Sequence, residues 1–108
     1  MKYDDVKRGK MYVGHNNDPK GHPSLVVNKN KNDRIITIVK FTHKKNKLVE
    51  NEPLKVSISK VPGEETYILK FPYKVSSKSL SKSDKFKNYK VDKKDKYRVD
   101  RVKRRKAK

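Results

Sequence analysis

The 108-residue chain has no cysteine and no tryptophan, and it is short of acid: 12 Asp and Glu stand against 31 Lys and Arg. Without cysteine there is no disulfide, no thiolate metal site and no thiol nucleophile. That absence is neutral about compartment and fits a cytosolic protein. Apolar residues make up 31% of the chain, and none of their runs approaches the roughly 20 residues of a membrane span. The opening MKYDDVKRGKMYV lacks the apolar middle of a signal peptide, so the expected location is cytoplasmic. The basic end of the chain lacks the Trp, Phe and Leu face of an interfacial helix, which argues against a membrane partner. The scarcity of acid also leaves no mimic of a DNA backbone.

What is present is positive charge. The formal net charge is +19, which works against a compact monomer by self-repulsion and favours a polyanion partner, nucleic acid first. The charge is uneven. Residues 74–108 hold 16 basic and 4 acidic side chains, and residues 1–73 hold 15 and 8. The length suits one domain, 1–108, with a folded body over about 7–75 and a basic segment and helix over about 76–108.

Turn formers divide the body into short apolar runs. Residues 1–9 are polar and read as a lead-in. Lys10–Val13 reads as a first strand. Gly14–Gly21, GHNNDPKG, is a loop by composition. Ser24–Val27 is a second strand, Asn28–Asp33 a polar turn, and Arg34–Phe41 a third strand. In that third strand Ile35, Val39 and Phe41 point one way and Ile36 and Ile38 the other, which suggests a central strand, or one with a side covered by another element. Lys44–Pro53 reads as a loop. Leu54–Ser59 alternates as a fourth strand, and Pro62-Gly63 marks a turn. Thr66–Phe71 is a fifth strand that Pro72 stops. Ser76–Ser83 reads as a loop or short helical turn. Asp92 caps a last helix from Lys93 to about Lys106, with Val99 and Val102 as its thin apolar stripe and Tyr97 nearby. Short strands followed by one helix predict a small, strongly bent sheet or barrel.

The stretch Lys20–His43 organises the rest. If its two strands pair as a hairpin, the residues flanking them meet at one end, which brings His22, Thr42 and His43 together. Two histidines near their ordinary pKa can share the base and acid roles of RNA cleavage without a metal. Lys20, Lys40 and Lys44 would stabilise charge on the phosphate. His15 lies in the loop beside them. The three histidines lack zinc spacing, so neither a metal nor another cofactor is expected. For phosphate neutralisation the candidates are Lys20, Lys40, Lys44, Lys45 and Lys47, with Arg101, Lys103, Arg104 and Arg105 at the end of the chain. Tyr67, Tyr73, Phe86, Tyr89 and Tyr97 are interleaved with the charge, and those that are exposed could stack on bases.

The run GHPSLVV, a polar turn, then IITIVKFTH and a charged loop is similar to the PemK/MazF family. That family shows an Arg-Pro leading into a Val-rich strand and a second strand ending in Thr-Ser. ETYILKFPYKVSSKSL resembles the family's later strand and the segment leading to its terminal helix, and DKKDKYRVDRVKR is similar in placement to that helix. The likeness covers most of residues 7–104. It implies an SH3-like β-barrel, a homodimer, an antitoxin protein as partner, and a toxin that cuts single-stranded RNA without a metal. The family's catalytic threonine corresponds to Thr42. Its catalytic arginine corresponds to His22, before Pro23. A histidine can move protons but cannot make the guanidinium's bidentate phosphate contact.

The expected protein is therefore a mainly β, SH3-like barrel of PemK/MazF type with a C-terminal basic helix. Its expected partner is nucleic acid, RNA or DNA, and its sharpest expected activity is that of a metal-independent endoribonuclease. Two other readings fit the charge. One is a non-catalytic DNA- or RNA-binding accessory protein of a phage or mobile element. The other is a protein inhibitor of a nucleic-acid enzyme.

Overall fold

The computed structural model describes residues 1–14, 23–42, 51–56, 66–84, 86 and 89–107. Its centre is the antiparallel hairpin of β2 (Ser24–Lys29) and β3 (Ile35–Thr42). The polar turn between them closes through the Asn30 N–H, which donates to the Ile35 carbonyl at 3.0 Å. The side chains of Asn30 and Asp33 accept from the N–H groups of Asn32 and Ile35, the local bonding for which such residues are favoured in turns. Arg34 completes the turn in the left-handed region, at φ 58°. The register shifts between Val26 and Asn28, a bulge that bends β2 across the sheet.

Further strands complete the sheet. β1 (Met11–Tyr12) pairs with β2, and β3 gives its far edge to two partners. Its first half pairs with β6 (Tyr73–Ser76) and its end with β5 (Thr66–Leu69), which in turn pairs with β4 (Asn51–Val56). The order is β1-β2-β3-β5-β4, with β6 also on β3. The fold is thus mainly β and antiparallel, with one short C-terminal helix, α1 (Lys96–Lys103). No pairing among the described residues joins β1 to β4, so the sheet is not closed there.

The expected two-faced central strand is present. Val39 and Phe41 join Met11, Val27, Ile68, Phe86, Val99 and Val102 in one apolar cluster beneath α1. Ile36 and Ile38 join Val6, Tyr12, Val26, Val75 and Leu80 in a second cluster on the opposite face. Each of Ile36, Ile38, Val39 and Phe41 is 0% exposed.

Several boundaries differ from the sequence reading. Residues 1–9 are not a lead-in. Val6 is fully buried, Tyr12 Oη accepts from the Lys7 N–H at 2.8 Å, and Lys29 Nζ donates to the Val6 carbonyl at 2.7 Å. A single apolar residue among charges gives no periodic signal, yet one is enough to anchor a segment. The expected loop Lys44–Pro53 is cut short because β4 starts at Asn51. Of the expected fourth strand, residues 57–59 lie outside the described residues. β5 ends at Leu69 rather than Phe71. β6, with no strand expected before Ser76, is formed by ladder pairing of Ile35–Ile38 with Tyr73–Ser76, and the helical turn that was one reading of Ser76–Ser83 is present as a 3-10 turn at Ser77–Ser79. The terminal helix is shorter than Lys93–Lys106. Lys93–Asp95 form a 3-10 turn, and Asp92 makes no side-chain cap. Val99 and Val102 are buried as expected, but Tyr97 points away from them and is exposed.

Candidate nucleic-acid interface

At the open end of the central hairpin the Phe41 N–H donates to the Pro23 carbonyl at 3.0 Å. Ser24 stands opposite Lys40, and Thr42 is the last residue of β3, paired through its backbone with Tyr67. Pro23 and Phe41 thus lie side by side at this end. His15, Lys20, His22, His43, Lys44, Lys45 and Lys47 lie outside the described residues, so of the expected catalytic group only the backbone of Thr42 has a described place.

Lys40 differs from its expected role. By strand alternation it shares a face with Ile36 and Ile38, the face of the second apolar cluster. Lys40 is 7% exposed, with Nζ 5.5 Å from the centroid of the Tyr73 ring. A cation over an aromatic face is attracted by the ring quadrupole, more strongly where water is excluded. Burial pushes the Tyr73 hydroxyl above its usual value of 10.0. Ser24, fully buried, lies across from this lysine. The arrangement holds a cation just inside the hairpin end, under cover, where it meets the sheet and not open solvent.

A separate set of cations gathers beside α1. A groove of about 620 Å³ runs between β2 and α1. Its floor holds Leu25, Val27, Val91 and Val99, and among the described residues five cationic side chains (Arg8, Lys90, Lys93, Lys96 and Lys103) line it against one carboxylate, Asp100. Each wall is fixed by the local chain. Arg8 is brought there because the Gly9 N–H donates to the Val26 carbonyl at 2.8 Å, with Gly9 at φ 85°. Lys90 follows Phe86 and Tyr89, whose rings pack at 5.2 Å and bury against the cluster under α1. Lys96 and Lys103 are seven residues apart, two helical turns, so they flank Val99 on one side of α1.

Among the basic residues expected to contact phosphate, Lys103 lines this groove. Arg101 and Arg104 are exposed on the outer face of α1. Arg105 Nη1 donates to the Lys70 carbonyl at 2.9 Å and ties the end of the helix to the β5–β6 connection. Among the aromatics, Tyr67 and Phe86 are core, Tyr73 and Tyr89 are half-buried, and Tyr97 is the exposed one. Arg8, Lys90, Lys93 and Lys96 were missed. The last two carried a signal, because with Lys103 they lie on one side of a helix. Arg8 carried none, since only the fold brings residue 8 to the C-terminal helix.

No helix among the described residues is long and apolar enough to cross a membrane. Comparison with protein-family models, with curated proteins and with solved structures finds no match to the chain.

Proposed function

We propose that this chain is a nucleic-acid-binding protein whose principal contact surface is the groove between β2 and α1. The observation that carries this reading is the five-to-one excess of cationic over acidic side chains among the described residues that line the groove. Phosphate neutralisation asks for several such groups and for little geometry. The fold assembles this excess from both ends of the chain, with Arg8 on one wall and Lys90 to Lys103 on the other. A channel with cationic walls and an apolar floor suits a single strand better than a duplex, whose bases are turned inward and cannot meet the floor.

The test compares two double variants that remove the same amount of charge. Lys96→Ala with Lys103→Ala takes cations from the groove, and Lys74→Ala with Lys78→Ala takes exposed cations from β6 and the turn after it. Retention of a labelled oligonucleotide should weaken about tenfold or more in the groove variant. The slope of log K against log salt should become shallower by about 0.7 for each single-strand phosphate no longer neutralised. The control should stay near the parent. Equal weakening in both would mean that net charge and not the groove governs binding.

A narrower reading, a PemK/MazF-type barrel cutting single-stranded RNA, draws support from the hairpin end, where the bond from the Phe41 N–H to the Pro23 carbonyl sets the residue before Thr42 against the residue that follows His22. In this reading His22 acts as acid or base, His43 is the second proton carrier and Thr42 positions the scissile phosphate. Incubation of the protein with a long RNA in EDTA tests it. Specific cuts that disappear in His22→Ala and Thr42→Ala, with binding retained, are the expected result. Intact RNA would leave a binding protein without this activity.

A further inference from the structure

The outer face of α1 presents a tyrosine that packing does not account for. Tyr97 is 54% exposed and is the large apolar side chain left open among the described residues. An exposed tyrosine alone means little, since scattered surface aromatics are normal. This one is held in place. Arg98 Nε donates to Tyr97 Oη at 2.9 Å, and the guanidinium carbon lies 5.4 Å from the ring centroid. Adjacent helix residues project about 100° apart and do not ordinarily meet. Arg98 must therefore reach round the helix to make this contact. Its Nη1 pairs at 3.2 Å with Asp95 Oδ1, and Asp95 is 5% exposed. A buried carboxylate thus fixes the arginine, and the arginine fixes the phenol from its hydroxyl end. That leaves more than half of Tyr97 to solvent.

The surroundings are cationic. Arg101 and Arg104 follow at i+4 and i+7, on the same face as Tyr97, and both are exposed. A flat aromatic held from one end, beside two cations, has the parts of a stacking platform. The ring offers a π-face to a base and the arginines meet the flanking phosphates. Holding the ring before a ligand arrives lowers the ordering cost of binding.

We infer that Tyr97, held by Arg98 and Asp95, is a base-stacking contact for single-stranded nucleic acid, on the face of α1 away from the groove. This rests on the nucleic-acid reading and names the class of polymer. The bases of a duplex are already stacked inside it, so a duplex gains nothing from the platform. A polyanion without bases gains nothing either.

The experiment measures fluorescence anisotropy of the full chain with labelled single-stranded RNA and DNA, with a duplex of the same length, and with inorganic polyphosphate as competitor. Wild type, Tyr97→Phe and Tyr97→Ala are compared. Tyr97→Ala should weaken both single strands about tenfold and leave the duplex and polyphosphate within about twofold. The salt slope should not change, because no charge is removed. Tyr97→Phe, which keeps the ring but not the hydroxyl that Arg98 holds, should lose part of the affinity and clearly less than Tyr97→Ala. Uniform weakening across all polymers, or none for single strands, would overturn the inference while leaving the groove reading standing. A wild-type chain that binds none of the nucleic acids would overturn both. The substituted side chain is exposed, so an unchanged thermal midpoint serves as the folding check.

Discussion

Two glycines at one edge of the sheet separate conformational strain from steric contact. Gly9 and Gly14 both take left-handed backbone, at φ 85° and 104°. A Cβ on Gly9 would meet nothing within 4 Å, whereas a Cβ on Gly14 would lie 2.6 Å from the Ser79 carbonyl oxygen. That oxygen cannot swing away, because the neighbouring Val13 and Ser81 exchange backbone hydrogen bonds at 3.0 and 2.7 Å. Gly9→Ala should therefore cost only the left-handed penalty, about 1–2 kcal/mol. Gly14→Ala should cost at least about 1 kcal/mol more, since backbone must move to admit the methyl group. Urea unfolding of the two variants measures the difference. At Tyr73 the relevant variable is pH. Burial raises its hydroxyl above the usual 10.0, so the folded chain holds this proton after the unfolded chain has released it. Its contribution to stability is intact below about pH 10 and is lost as the pH climbs from there through the raised value. Tyr73→Phe has no proton to lose. The stability of the parent relative to this variant should fall on the alkaline side and stay level from about pH 7 to 9, as thermal melts in matched buffers would register.

At the scale of elements, α1 is the piece on which both proposed contact surfaces depend. It is eight residues long, too short to persist in water unaided. Val99 and Val102, buried against the sheet, keep it folded, and Arg105 fastens its end to Lys70. Val102→Asp buries a carboxylate in that contact and should lower stability by about 3 kcal/mol or more. It should also release the helix ahead of the sheet, so that trypsin cuts after Arg98, Arg101 and Lys103 at protease concentrations and times that leave the parent intact. Cleavage spread evenly over the chain would show that the helix and the sheet unfold as one unit. The same element shows how far the sequence could be read. The run Ile35 to Phe41 was legible as a strand that is central or covered by another element, because its β-branched residues favour a strand and its apolar side chains fall on both faces. Val99 and Val102 likewise marked the inner face of α1. β6 was not legible, because Tyr73–Ser76 has one buried aliphatic and owes its extension to ladder partners about forty residues away. Nor was the helix start. Asp92 is a good capping residue by type, but here the chain enters through a 3-10 turn and the cap is not used. The groove was legible only as scattered lysines. Their meeting with Arg8 depends on the bond from Gly9 to Val26, which no local pattern announces.

For the molecule as a whole, the net charge of +19 acts in opposite directions on the free and bound states. In the free protein the like charges repel, and folding brings them closer than they lie in the extended chain. Salt screens that repulsion, with a Debye length of about 10 Å at 0.1 M and 3 Å at 1 M, so the thermal midpoint of the free protein should rise with sodium chloride. With saturating single-stranded oligonucleotide the midpoint should start higher, because a ligand that binds only the folded state stabilises it in proportion to the logarithm of its concentration over Kd. That increment should then shrink as salt is added. With the five groove cations as phosphate contacts, a single-strand slope of about −0.7 for each gives roughly a hundredfold weaker affinity at about 200 mM salt than at about 50 mM. The two midpoint curves should therefore approach one another, the free protein from below and the complex from above, and merge where Kd passes the oligonucleotide concentration. Parallel rising curves would mean that the polymer does not engage the folded chain through its charge. Merging curves whose separation narrows less in the Lys96→Ala, Lys103→Ala variant would assign the salt-sensitive part of binding to the groove, since removing those cations flattens the dependence of Kd on salt while leaving most of the self-repulsion in place.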